Sequence, residues 1–112
     1  MHCVIFVGTL KRAAEISKVF NEELPITNDC KIVHGGLCYD YVNHDIRIEI
    51  RQADPVKCVG LRLKYYVVDD NCTYGFWKFI NFNMSRTGEE KELRNVYELI
   101  NKVKESVLNT SG

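Results

Sequence analysis

The chain has 112 residues, 46% of them hydrophobic, with fifteen basic and fifteen acidic side chains and a formal charge of zero. That length and apolar content fit one domain with its own core and exclude a disordered or low-complexity polypeptide. The charge balance provides no global field to draw the molecule to nucleic acid or to an anionic membrane.

Residues 2–8 form a continuous apolar run and predict a short strand buried on both faces. Thr9 can cap a helix over 10–24, in which Leu10, Ala13, Ile16, Phe20 and Leu24 recur at helical spacing, and Pro25 stops it. From Lys31 the period shortens to two. Strands are expected at 31–34 and 37–42, with a glycine pair between them. The next strand, 45–51, turns Ile46, Ile48 and Ile50 inward and Arg47, Glu49 and Arg51 outward. A further strand is predicted over 58–68, followed by a turn at Asp69-Asp70-Asn71.

The segment 73–82 then holds five aromatic residues and no acid. Aromatic residues favour strands, and as a strand it places Tyr74, Phe76, Ile80 and Phe82 on one face and Trp77 and Phe79 on the other. A strand apolar on both sides must be covered on both sides, by the domain's own helices or by a partner. The last element is predicted as a helix over 89–108, with a capping box at Thr87–Glu90 and Leu93, Val96, Ile100, Val103 and Val107 on its inner face. The expected order is therefore β-α-β-β-β-β-α. It describes a single α+β domain over 1–112, a two-layer sandwich of a mostly antiparallel meander and two amphipathic helices.

Five cysteines (Cys3, Cys30, Cys38, Cys58, Cys72) include no Cys-x-x-Cys pair, so no metal site is expected and the thiols read as free, in a reducing compartment. The apolar run at 3–7 is too short for a secretory signal, and no segment is long enough to cross a membrane. An intracellular, cytoplasmic location is the expectation. No glycine-rich phosphate loop is present and no cofactor is expected.

Aromatic and arginine side chains together are the usual content of interface cores. The leading expectation is a non-enzymatic protein-binding module, such as a small complex subunit, an adaptor or a surface-masking inhibitor, with a homodimer as one form. It would dock through a sheet face built from Tyr74, Phe76, Trp77, Phe79 and Phe82, with Arg47, Arg51, Arg62 and Lys64 pairing acids at the rim. An alternative is a single-stranded RNA-binding sheet, because stacking and phosphate neutralisation need those two residue types side by side. A third is a small-ligand domain or a cysteine-dependent enzyme, with Cys38 as nucleophile and His34 as its base in the run His34-Gly35-Gly36-Leu37-Cys38.

Overall fold

A computed structural model describes residues 1–23, 29–33, 36–41, 46–58, 63–84 and 91–111, with side chains described over 1–23, 46–56, 63–84 and 91–106. The described elements run β1 (His2–Val7), α1 (Leu10–Glu23), β2 (Asp29–Val33), β3 (Gly36–Tyr41), β4 (Ile46–Gln52), a 3₁₀ turn at Pro55–Cys58, β5 (Tyr65–Val68), α2 (Tyr74–Met84), β6 (Lys91–Leu93) and α3 (Val96–Ser111). Six strands form one sheet in the order β2-β3-β4-β1-β5-β6. Four neighbours, β4, β1, β5 and β6, run parallel, while β2 and β3 add to β4 as an antiparallel hairpin.

The expected antiparallel meander and two-layer sandwich are therefore incorrect. The overturning feature is the central strand. β1 pairs with β4 from His2↔Arg47 to Val7↔Gln52 on one side, and with β5 from Cys3↔Tyr65 to Phe6↔Val68 on the other. A strand flanked by parallel neighbours is buried on both faces, which is why Cys3–Val7 is a continuous apolar run with no exposed surface. Parallel pairing also demands a crossover between neighbouring strands. The segment 73–82 supplies part of that crossover between β5 and β6, so it is helix α2 and not a strand.

Two further elements differ from expectation. Of the strand predicted over 58–68, the structure forms β5 at Tyr65–Val68 and places the 3₁₀ turn Pro55–Cys58 before it. The helix predicted over 89–108 begins at Val96, and Lys91–Leu93 ahead of it is the edge strand β6. The capping box read at Thr87–Glu90 lies outside the described residues. The observed cap is Asn95, whose Oδ1 accepts the Glu98 backbone N–H at 3.0 Å, while Glu98 Oε2 accepts from the Arg94 N–H at 2.9 Å.

The helices lie on both sides of the sheet. On one side Ala13, Ile16 and Phe20 of α1 and Val96, Leu99, Ile100 and Val103 of α3 pack with Cys3, Ile5, Val7, Ile46, Ile48, Ile50, Val67 and Leu93. Lys104 of α3 reaches Glu23 of α1 at 3.3 Å across the same side. On the other side Phe76, Ile80 and Met84 of α2 pack with Val4, Phe6, Leu63 and Tyr66. The Phe6 and Phe76 rings meet edge to face at 5.4 Å. The described core thus has three layers, with the alternation of β1 dividing its side chains between the two helical sides.

Candidate interaction surface on the second helix

α2 begins where β5 ends. Asp69 turns the chain, with the Cys72 N–H donating to the Asp69 carbonyl at 3.0 Å, and Thr73 caps the helix through its Oγ1, which accepts from the Phe76 N–H at 3.1 Å. The turn is fastened to the first βα loop. The Gly8 N–H donates to Asn71 Oδ1 at 2.9 Å, and a Cβ at position 8 would collide with the Asn71 carbonyl oxygen, so glycine is required there. Arg12 of α1 donates through Nε and Nη2 to the two carboxylate oxygens of buried Asp69, at 2.8 and 3.1 Å. Those bonds, and one to Glu15, push the Arg12 guanidinium above its ordinary pKa and keep it charged.

Helical geometry regroups the aromatic residues. Phe76 is 5% exposed and belongs to the core, with Phe79 partly buried beside it. Tyr74, Trp77 and Phe82 face outward at 68%, 38% and 64% exposure. The strand reading had joined Tyr74, Phe76 and Phe82 on one face and set Trp77 with Phe79 on the other, so this division corrects it. Tyr74 and Trp77, one turn apart, stack with ring centroids 5.6 Å apart, and the Lys78 ammonium lies 5.4 Å from the Tyr74 ring centre.

Trp77 is fixed by more than stacking. Its indole N–H donates to Glu92 Oε2 at 2.9 Å, and Asn81 Nδ2 donates to the same oxygen at 3.3 Å. These bonds tie α2 to β6. Trp77 and Tyr74 form one wall of an open cleft of about 370 Å³ at the carboxyl ends of β5 and β6, which Asp70, Cys72, Glu92 and Arg94 also line. Burial and the neighbouring Asp69 charge push the Cys72 thiol up to about 11, and its Sγ donates to the Phe6 carbonyl at 3.3 Å. It is an inert thiol at neutral pH.

The basic residues expected to frame the aromatic set lie apart from Tyr74 and Trp77. Arg47 pairs with His2 where β1 begins, and Lys64, whose N–H donates to the His2 carbonyl at 2.8 Å, sits at that same edge. Tyr74 and Trp77 belong to the opposite edge, where β5 has ended. Arg51 turns inward, its Nη2 donating to Glu49 Oε1 at 3.3 Å. Arg62 lies outside the described residues. The interleaving of bases and aromatics on one strand face, which motivated an RNA-binding sheet, is thus replaced by a helical aromatic stripe.

His34 also lies outside the described residues. Cys38 is described by its backbone, in register with Glu49 across β3 and β4. Among the described residues no group of three His, Cys, Asp or Glu side chains is placed to hold a metal ion. No described helix is long and apolar enough to cross a membrane.

The signals missed in the sequence were the Asn95 cap and the role of Glu92. The first was legible as Asn-x-x-Glu ahead of an apolar run. The second was not, because its partner Trp77 is brought to it only by the crossover. Comparison with protein families, characterised proteins and solved structures finds no match to this chain.

Proposed function

We propose that the chain is a non-enzymatic protein-interaction module whose docking surface is the outward face of α2. The observation that carries this reading is that α2 sets Tyr74, Trp77 and Phe82 beside Lys78 on the side turned away from the described core. Aromatic side chains grouped on an exposed surface mark interaction sites. Here Tyr74, Trp77 and Phe82 stay in water. Held by Glu92 and by Tyr74, Trp77 has little side-chain freedom left to lose on binding, which favours it as an anchor.

Area sets how much of an interface the stripe can supply. At these exposures, and with about 150–250 Å² for each aromatic side chain, the stripe offers roughly 300–400 Å². A stable pair of globular partners buries about 800 Å² on each side. The stripe alone falls well short of that for any partner, so the partner adds contacts beyond it. A subunit of a complex, an adaptor and a surface-masking inhibitor would all use it this way.

The test is position-specific photo-cross-linking in the cells the protein comes from. A benzophenone side chain replaces Phe82 or, as the control, the exposed Ala14 of α1 on the far side of the sheet. The expected result is one discrete adduct from position 82 that is absent from position 14 and is lost when Tyr74→Ser is added. Equal adducts from both positions, or none from position 82, would overturn the reading.

A further inference from the structure

Among the described strands β6 is the last of the sheet, and its outer edge faces no described strand. The Lys91 N–H donates to the Lys64 carbonyl at 3.1 Å, toward β5. In a parallel ladder the N–H and C=O of one residue point to the same side, and successive residues alternate. Glu92, between Lys91 and Leu93, therefore directs its N–H and C=O away from the sheet, and neither has a partner among the described residues. The next outward N–H, on Arg94, is already taken by Glu98 Oε2 at 2.9 Å. Among the described residues of β6, the outward backbone donor and acceptor are thus both on Glu92.

Hollows flank this edge on both sides of the sheet. An open groove of about 570 Å³ runs along Lys91–Arg94 and the stripe Glu98, Asn101 and Lys102 of α3. On the α2 side lies the cleft walled by Trp77 and Tyr74, which shares Glu92, Leu93 and Arg94 with the groove. A strand laid against β6 would send alternate side chains into the two hollows.

We infer that β6 is a strand-addition site that takes an extended segment of a partner protein as a seventh strand. Its backbone exchanges both hydrogen bonds with Glu92. Side chains at every second position are apolar or aromatic and lie against Trp77, while those between them are long and polar and lie along Glu98, Asn101 and Lys102. A second copy of this chain is a poor occupant. Antiparallel pairing about a two-fold axis at Glu92 would set Glu92 opposite its own counterpart, and like charges directly opposite repel. With two main-chain bonds offered by the described edge, the segment depends on those side-chain contacts, so selectivity follows the alternation.

The experiment selects linear 12-residue peptides from a displayed random library on the full chain, then measures their binding to two variants. Glu92→Pro removes the outward N–H and no bond of the β5 ladder, and proline is tolerated at such an edge position. Glu92→Gln keeps both the backbone and an acceptor for Trp77. The expected result is enriched peptides with a period of two, whose affinity falls at least tenfold in Glu92→Pro and less than threefold in Glu92→Gln. In the unmodified chain, the same peptides should slow exchange of the Glu92 amide hydrogen at least tenfold. That readout does not depend on how well the proline variant folds. No enrichment, or peptides that leave the Glu92 amide unprotected, would overturn the inference. Peptides lost only with Tyr74→Ser and Phe82→Ser would overturn it too, yet leave the α2 surface standing.

Discussion

Glu49 and Asp69 are the acidic side chains buried among the described residues, and each is paired with different basic side chains. Burial alone would raise the Glu49 carboxyl. A 2.6 Å bond from His2 Nε2 and the bond and charge of Arg51 outweigh it and bring the group down from 4.5 to about 2. Because the folded value lies below the ordinary one, the fold favours the carboxylate. That stabilisation is complete above pH 4.5 and drains away as pH falls toward 2. Denaturant titrations at stepped pH should show a loss on the order of 1–3 kcal/mol across that window, and Glu49→Gln should flatten it. Asp69 depends on Arg12 instead. Arg12→Ala leaves a buried carboxylate without its bidentate partner and should cost about 1–3 kcal/mol, less than for a fully enclosed pair because Arg12 is half-exposed. Glu15→Ala removes only an exposed pair on the same arginine and should change stability by less than about 0.5 kcal/mol in the same assay.

At the scale of elements, periodicity exposed those whose two sides differ. Ala13, Ile16 and Phe20 mark the inner face of α1, and the alternation of Ile46, Ile48 and Ile50 marks β4; both elements are found where the pattern predicts them. α2 escaped because it is apolar on both sides. Its inner residues Phe76, Ile80 and Met84 do recur every four positions, but Tyr74, Trp77 and Phe82 fill the opposite side and blur the period. β6 escaped because three residues are too few to show a period, and Leu93 continues the spacing of α3 without a break. The aromatic excess of the candidate site was therefore legible, while its division between core and surface was not, since that division depends on the crossover between parallel strands. The start of α3 tests the boundary that was missed. Asn95→Ala should cost about 1 kcal/mol in a denaturant titration, whereas a helix that began near residue 89 would be indifferent to it.

For the whole molecule, the described helices divide as α1 and α3 on one side of the sheet and α2 on the other, and this decides which described residues are exposed. The first side holds two helices against the core, and their outward residues are mostly polar. Among the described residues the second side holds α2, whose outer surface carries Tyr74, Trp77 and Phe82 beside Lys78. The division of α2 into a buried Phe76 and an outward Tyr74 and Phe82 is tested most directly by the stability of two variants measured side by side. Phe76→Ala should lose about 3–5 kcal/mol in a denaturant titration, the range for truncating a buried phenylalanine. The Tyr74→Ser, Phe82→Ser double variant should lose no more than about 1.5 kcal/mol, the range for an exposed ring stack such as Tyr74 on Trp77. A loss of about 2 kcal/mol or more in the double variant would mean that the outer face of α2 is already covered by the chain itself, and would contradict its assignment as a docking surface.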